Sequence, residues 1–282
     1  MRTSTLLARP LCRLALLVLA AGLPAAATAA DWPQIRGPQR DGISAETGLA
    51  RSWPREGPRV VWRRPIGEGF SGLSVVGSRL YTMAADAETE YVLALEAATG
   101  LEVWRRAVGP RFKEEFGDGP RSTPTVDGGT VYALGAAGRL VALQAADGKP
   151  IWEVDLPKQL GSPVPVRGFA CSPLVSGDLV VLEAGAAPDK PGTALVALDR
   201  RTGKLRWSAR DGEAGYSSPL AVTIGGVSQI VFARRIASEV VSLGLDGSVL
   251  WSHPGPPTVI SLPLFVPPDR IYVSGGDDAG AT

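Results

Sequence analysis

Apolar and polar residues alternate over short stretches of the chain that follow residue 30. Residues 205–209 read Leu-Arg-Trp-Ser-Ala, and residues 152–155 read Trp-Glu-Val-Asp. This period of two is typical of β-strands. Glycine-containing turns separate the stretches, and no helical period of any length appears among them. The pattern therefore predicts an all-β protein that is built from short strands.

A tryptophan recurs in the same phrase at intervals of 42 to 55 residues. The phrase is clearest in residues 197–207, which read Ala-Leu-Asp-Arg-Arg-Thr-Gly-Lys-Leu-Arg-Trp. Its Thr-Gly or Asp-Gly pair supplies the residue of positive φ that a tight hairpin requires. The recurring tryptophans are Trp62, Trp104, Trp152, Trp207 and Trp251. Internal repeats with a period of roughly 40–50 residues indicate a stacked or radial architecture.

A second phrase precedes each tryptophan and completes a unit of four strands. It combines hydroxyl-bearing residues with proline, as in residues 122–126 (Ser-Thr-Pro-Thr-Val) and 217–221 (Ser-Ser-Pro-Leu-Ala). We name the strands of a unit A to D, with this phrase in strand A and the tryptophan in strand D. Because proline is unfavourable in a central strand, strand A is expected to lie beside an open axis. Four strands repeated radially predict a β-propeller of four-stranded antiparallel blades.

The tryptophans are expected to pack between neighbouring blades, since a large indole at one position per repeat suits such a contact. Residues 61–67 repeat residues 103–109 at five of seven positions, so a D strand is predicted there that closes the last blade. The predicted organisation is a signal peptide (1–30), an N-terminal arm (31–58) and a partial propeller (59–282). The propeller would hold this D strand, four full blades and strands A and B of a fifth, so we expect an open ring and a C-terminally truncated fragment.

Residues 1–30 have the composition of a secretory signal peptide. They contain three arginines, a short apolar run and an Ala-Thr-Ala cleavage signal at 27–29. The run is shorter than the ~20 residues that span a bilayer, so we expect a periplasmic or secreted protein without a membrane span. Cleavage would leave 26 basic and 28 acidic residues, which argues against a nucleic-acid partner. Cys171 would be the only remaining cysteine, which excludes an intrachain disulfide.

The phrase of residues 197–207 resembles the quinoprotein-like, or PQQ-binding-like, β-propeller repeat. Residues 31–42 are similar to the mature start of secreted members of that family, with Ile35 in place of the usual aromatic residue. The resemblance implies an eight-bladed ring, of which about half is present. The family includes alcohol and glucose dehydrogenases that use pyrroloquinoline quinone (PQQ) with calcium, and also non-catalytic scaffolds. The adjacent cysteines of the alcohol dehydrogenases and the lipidated cysteine of the scaffold lipoprotein have no counterpart here.

Residues with catalytic chemistry are few and scattered. His253 is the only histidine and is predicted at the end of a D strand, without partners for a metal site. Cys171 is predicted to be a buried, unreactive thiol, because no positive residue adjoins it. The acidic residues are assigned to turns, or to loops whose spacing matches no known metal site. They are Asp147, Asp199 and Asp246 in turns, and Glu68, Glu114, Glu115 and Asp118 in loops. We therefore expect no catalytic residue, metal site or resident cofactor.

The positions where strand A begins are the best candidates for a binding site, because they border the axis of a propeller. An aromatic residue or an arginine precedes a hydroxyl there, which suits a small polar or aromatic ligand. The candidate residues are Phe70, Ser71, Arg121, Ser122, Tyr216 and Ser217. The alternative is that small residues simply fit a crowded axis. The loop 109–119 is a second candidate, because it is long for a connection between blades.

Two functions are compatible with these features. A non-catalytic binding or scaffold module, for an unknown protein or small polar ligand in the periplasm, fits a repeat scaffold without an assembled catalytic set. A dehydrogenase dependent on PQQ and calcium would require blades outside this sequence to complete its site. We favour the first hypothesis.

Overall fold

The computed structural model describes residues 30–276 and residue 281. Nearly all of the predicted signal peptide lies outside these residues. The described part consists mainly of strands, which we number β1 to β18, together with one short helix, α1 (Leu156–Leu160). No helix in this part is both long and apolar enough to cross a membrane.

Four consecutive sheets each contain four strands, and a two-stranded sheet follows. Blade 1 contains β1 (Ser74–Val76), β2 (Arg79–Ala85), β3 (Thr89–Glu96) and β4 (Glu102–Pro110). Blade 2 contains β5 (Thr125–Asp127), β6 (Thr130–Leu134), β7 (Arg139–Gln144) and β8 (Pro150–Asp155). Blade 3 contains β9 (Leu174–Ser176), β10 (Leu179–Glu183), β11 (Leu195–Asp199) and β12 (Leu205–Ala209). Blade 4 contains β13 (Leu220–Ile224), β14 (Val227–Arg234), β15 (Glu239–Gly244) and β16 (Val249–Pro254). The last sheet contains β17 (Leu264–Val266) and β18 (Arg270–Tyr272).

Each blade is an antiparallel meander, in which every strand bonds to the next strand along the chain. The second and third strands are the most buried, as in β10, whose five residues are all buried. The fourth strands are largely exposed, as in β16. This arrangement confirms the predicted β-propeller fold, with four-stranded antiparallel blades in the order A to D.

The hydrophobic core lies between successive blades. Blades 1 and 2 share one buried apolar cluster, blades 2 and 3 share a second, and blades 3 and 4 share a third. In the second cluster, Leu134 and Leu140 of blade 2 lie with Val180 and Leu182 of blade 3, all without exposed surface. Burial of one such side chain contributes about 1.5–3 kcal/mol. Each blade is therefore stabilised mainly by its neighbours.

Four of the recurring tryptophans bond to the C–D turn of the following blade. The Nε1 of Trp104 donates to the Ala145 carbonyl at 3.0 Å, and that of Trp152 to the Arg200 carbonyl at 2.9 Å. The indoles of Trp62 and Trp207 bond in the same way to the carbonyls of Ala97 and Leu245, both at 2.9 Å. A glycine lies beneath each ring: Gly100, Gly148, Gly203 and Gly247. A Cβ at any of them would lie 2.5–2.8 Å from the indole, so the turn glycine also makes room for the tryptophan.

A β-bulge precedes the tryptophan in every complete blade. The register places Trp104 opposite Ala94 and Glu102 opposite Leu95, which leaves Val103 without a partner. Blades 2, 3 and 4 show the same shift one residue before the tryptophan. A bulge bends its strand and redirects the next side chain. This bend aims the indole at the neighbouring blade.

Two positions differ from the pattern of the other repeats. Residues 61–67 form no strand, because no described residue supplies a neighbouring ladder for them. Trp62 nevertheless docks on blade 1 from this extended segment. Trp251 bonds instead to the side-chain oxygen of Gln229 in its own blade, at 2.7 Å. The described residues contain no C–D turn after blade 4 on which Trp251 would dock.

Candidate functional site

The connections between blades lie on one face of the propeller, which we call the loop face. In an antiparallel meander, D–A connections and B–C turns emerge from the same edge of every sheet. The D–A connections are residues 111–124, 156–173, 210–219 and 255–263. Long loops on a rigid scaffold are where binding residues concentrate, so this face is the candidate binding face.

Arg121 lies between two phenylalanines at the junction of blades 1 and 2. Its guanidinium carbon is 5.4 Å from the centre of the Phe70 ring and 5.3 Å from that of Phe112. Its Nη atoms donate to backbone carbonyls within the same loop. A Cβ at Gly117 would lie 2.6 Å from the Phe70 ring, so this glycine allows the loop to close over the ring. The stack joins two predicted site residues to the predicted loop 109–119.

A second stack extends this surface toward blade 3. The guanidinium carbon of Arg167 lies 3.9 Å from the centre of the Phe116 ring. The carboxylate of Glu114 links the two stacks, at 3.3 Å from Arg167 and 3.6 Å from Arg121. The arginines and phenylalanines of the two stacks form a surface that we call the aromatic–arginine rim. Its residues are Phe70, Phe112, Phe116, Arg121 and Arg167.

The junction of blades 3 and 4 carries a third stack on the same face. The guanidinium carbon of Arg235 lies 5.6 Å from the centre of the Tyr216 ring. Tyr216, another predicted site residue, is partly buried there. A cation above an aromatic face contributes about 0.5–1 kcal/mol at exposed sites. Three successive junctions thus fix an aromatic ring with an arginine.

The aromatic–arginine rim has the composition of a protein-binding surface. Phe70 and Phe116 are 58% and 64% exposed. Val164 and Val166, close to Arg167 in the sequence, are also exposed. Aromatic residues and arginine are enriched at binding hot spots. Because the arginines already hold the rings, little conformational entropy remains to be lost on binding.

Two of the three predicted serines form hydrogen bonds to nearby backbone groups. Ser71 Oγ accepts a hydrogen bond from the Met83 amide at 3.2 Å, and Ser217 Oγ donates to the Ser261 carbonyl at 2.8 Å. Ser122 is completely buried. Ser122 and Ser217 are therefore enclosed, whereas Ser71 is partly exposed. Strand A directs them along the sheet and toward the next blade rather than into the axis.

A relay of hydroxyls joins the inner strands of neighbouring blades. The amide of Gly72 donates to Thr123 Oγ1 at 3.0 Å, and the amide of Thr123 donates to Ser172 Oγ at 2.9 Å. The amide of Ser172 then donates to Ser218 Oγ at 2.8 Å. The Ser-Pro and Thr-Pro phrases thus supply contacts between blades.

Three groups that sequence reasoning missed lie among the most buried polar side chains. Arg40 of the N-terminal arm is 1% exposed and reaches the inner strands of three blades. Glu90 accepts hydrogen bonds from the amides of Ala136 and Phe112, and Glu183 lies 3.3 Å from Arg234. Burial raises the pKa of Glu90, and it raises that of Glu183 to about 7. The two glutamates carry one signal in the sequence, a charged residue near the end of an apolar strand, whereas Arg40 lies in the arm and carries no such signal.

The residues with catalytic chemistry are buried or isolated. Cys171 is 1% exposed, and burial raises the pKa of its thiol to about 12. A thiol that stays protonated is a poor nucleophile. His253 lies exposed on β16, with Nδ1 2.7 Å from the Pro254 carbonyl oxygen. Within the described residues, no three His, Cys, Asp or Glu side chains are grouped so that they could hold a metal ion.

Arginines and backbone amides contact most of the carboxylates that the sequence assigned to turns and loops. Arg111 lies 2.5 Å from Glu68 and 2.8 Å from Asp118, and Glu114 lies between the two rim arginines. The carboxylates in the C–D turns accept hydrogen bonds from the amide two residues later, as predicted for turn formation. They are Asp147, Asp199 and Asp246.

Four-stranded blades that are joined by docked tryptophans define a β-propeller of the PQQ-like repeat class. The family model described as "Outer membrane protein assembly factor BamB" matches residues 88–259. The chain belongs to this family, and the resemblance that residues 197–207 indicated is confirmed.

Individual relatives come from two groups within this class. The outer membrane protein assembly factor BamB of Burkholderia pseudomallei is 25% identical over 85% of this chain and 69% of its own length. The quinoprotein alcohol dehydrogenase PedH of Pseudomonas putida is 31% identical over 51% of this chain and 24% of its own length. The crystal structure of BamB from Moraxella catarrhalis superposes with a TM-score of 0.54 at 20% identity, over 78% of this chain and 61% of that one. The chain thus spans only part of each relative.

Proposed function

We propose that this chain is a non-catalytic binding or scaffold module of the bacterial periplasm, and that it holds a protein partner on the aromatic–arginine rim. The proposal rests on one observation. Phe70 and Phe116 are exposed, and arginines hold their aromatic rings in place. Such rings offer a partner apolar area in a fixed arrangement, with cations beside it. The family's description as an assembly factor supports a scaffold role.

The periplasmic location is supported by two separate features. The sequence predicts a cleaved signal peptide over residues 1–30. The relative from Burkholderia pseudomallei is named as a factor that assembles outer membrane proteins, a process to which an exported scaffold is suited.

Site-specific photo-crosslinking tests the proposal. The full chain, with its own leader, is produced in a Gram-negative bacterium with a photoreactive phenylalanine in place of Phe116. A matched control carries the same group in place of Asp178, which is exposed in an A–B turn on the opposite face. We expect a discrete protein adduct from position 116 only, and its loss when Phe70→Ala is added. No adduct at 116, or the same adducts from both positions, would contradict the proposal.

A PQQ-dependent dehydrogenase is the second candidate, because PedH shares 31% identity with about half of this chain. The described residues supply no observation that favours binding of the cofactor with calcium. The only described cysteine is buried, and the acidic side chains form no group that could hold a metal. Absorbance titration of the protein with PQQ and calcium separates the candidates, since saturable binding favours the dehydrogenase and its absence removes it.

A further inference from the structure

The N-terminal arm runs across the inner ends of all four blades. The amide of Gly77 in blade 1 donates to Asp31 Oδ1 at 2.8 Å, and Trp32 forms a two-way backbone bridge with Val75. In blade 2, the amide of Val126 donates to the Pro33 carbonyl at 2.8 Å. The arm then turns and directs Arg40 toward the inner strands of blades 2, 3 and 4. One short segment therefore contacts every complete blade.

Arg40 is fully enclosed, and its hydrogen-bond acceptors are oxygens that carry no formal charge. Nε donates to the side-chain oxygen of Gln34 at 2.7 Å. Nη1 donates to the carbonyls of Pro219 at 2.8 Å and Ser172 at 3.4 Å. Nη2 donates to the Pro173 carbonyl and to Thr125 Oγ1. The planar guanidinium has five N–H donors, and all of them are satisfied. Burial lowers the pKa of Arg40 to about 10, so the group stays charged at neutral pH.

The backbone carbonyls that accept from Arg40 are available because strand A is the innermost strand of each sheet and has no further strand on its axis side. At the position of Ser74 in blade 1 and of Thr125, which follows Pro124, in blade 2, a hydroxyl donates to the proline carbonyl of the next blade. Ser74 donates to Pro124 and Thr125 donates to Pro173, both at 2.6 Å. Blade 3 has Leu174 at this position, which offers no donor. The Pro219 carbonyl of blade 4 receives the Arg40 guanidinium instead.

We infer that the inner ends of blades 2, 3 and 4 form an arginine-binding site, which the N-terminal arm fills with Arg40 as a strap that fastens these blades together. The site recognises a planar guanidinium, since only a fork of donors reaches carbonyls of two blades and a hydroxyl of a third at once. A ligand for this part of the axis would have to displace the strap. This inference is independent of the proposed function, which concerns the loop face.

The arm is shaped in advance for this task. Gln34 bonds to the Pro38 carbonyl at 2.9 Å as well as to Arg40, and the Gly42 amide donates to the Arg36 carbonyl at 2.8 Å. Gly37 has φ 82°, and a Cβ there would lie 2.7 Å from the Trp32 ring. These internal contacts fold the arm into a compact turn, so that little freedom is lost when Arg40 enters its site.

Chemical rescue of an Arg40→Ala variant tests the inference in the full chain. The substitution leaves buried carbonyls unpaired, and we expect the midpoint of thermal unfolding to fall by roughly 10 °C. Ethylguanidinium matches the atoms that are removed and should raise the midpoint again at millimolar concentration. Ethylammonium, which has the same charge but no planar fork, should not. Arg36→Ala, in the same turn but exposed, is the matched control and should respond to neither compound.

An unchanged midpoint in Arg40→Ala, or no response of that variant to ethylguanidinium, would overturn the inference. If the variant does not fold, labelling of the wild-type protein with phenylglyoxal decides the matter. We expect Arg40 to stay unmodified while Arg36 reacts, as read by peptide mass spectrometry. Modification of both arginines at the same rate would also overturn the strap. Arg40→Lys should fold with a lowered midpoint, because one ammonium cannot reach all three blades.

Discussion

At the scale of single residues, each docking tryptophan and the glycine beneath it form one interdependent contact. Between blades 2 and 3, Trp152 donates to the Arg200 carbonyl and its ring covers Gly203. Gly203 has φ 70°, and a Cβ there would lie 2.8 Å from the ring. The glycine therefore meets two requirements, a left-handed turn and room for the indole. Sequence reasoning identified only the first of them.

Substitution of this glycine separates the two requirements. Gly192→Ala is the matched control, because Gly192 has φ 76° and a Cβ there would have no other atom within 4 Å. We expect Gly192→Ala to cost about 1 kcal/mol, from the left-handed backbone alone. Gly203→Ala should cost about 3 kcal/mol, because it also displaces Trp152. Urea unfolding followed by tryptophan fluorescence measures both. Equal losses would show that the indole contact is loose.

Glu183 makes stability depend on pH. Folding raises its pKa from 4.5 to about 7, because burial outweighs the attraction of Arg234. The folded state therefore holds the proton more tightly, and this contribution is complete below about pH 4.5 and lost as pH rises through about 7. We expect the free energy of unfolding to fall from pH 5 to pH 7, and Glu183→Gln to flatten that slope. Glu213→Gln, at an exposed position, is the control. The same slope in Glu183→Gln would contradict this assignment.

At the scale of elements, one buried carboxylate organises the connection between blades 1 and 2. Glu114 lies between Arg121 and Arg167, and its side chain is 7% exposed. We expect Glu114→Ala to release loop 111–124, because two arginines lose their shared partner. Trypsin should then cut faster after Lys113, while Glu115→Ala, at the exposed neighbouring position, leaves the rate unchanged. Equal rates in both variants would show that the phenylalanine stacks alone hold the loop.

The elements also show what a sequence can predict. The C–D hairpins and the tryptophan dock were predictable because each repeats a local phrase in every blade. Residues 61–67 form no strand although their phrase matches that of residues 103–109, because a strand also needs a neighbouring strand and the described residues supply none there. Arg40 could not be placed, since its bonds to the blades reach residues 85 to 179 positions away. At the rim, Phe70, Arg121 and the loop 109–119 were singled out separately, but the sequence did not reveal that they stack on one another.

At the scale of the whole molecule, contacts pass from each blade to the next, and among the described residues only the arm spans several blades. The buried clusters, the docked tryptophans and the hydroxyl relay all join adjacent blades. In such an array, stability is close to a sum of terms between nearest neighbours. The blades with two neighbours should therefore be the most stable part. A partner that binds the rim, at the junctions of blades 1 to 3, would contact this stable part of the molecule.

Amide hydrogen exchange tests this organisation, because local opening follows the number of buried contacts that an element makes. β10 is wholly buried between two neighbouring blades, whereas β18 is mostly exposed and belongs to a sheet of two strands. We expect β10 to exchange last and β18 to exchange first, with β14 between them. Arg40→Lys should speed exchange in β13 more than in β2. Arg40 bonds to blade 4 through the Pro219 carbonyl, whereas it forms no hydrogen bond to blade 1. Uniform protection across the blades would mean that the molecule opens only as one unit, and it would contradict the nearest-neighbour account.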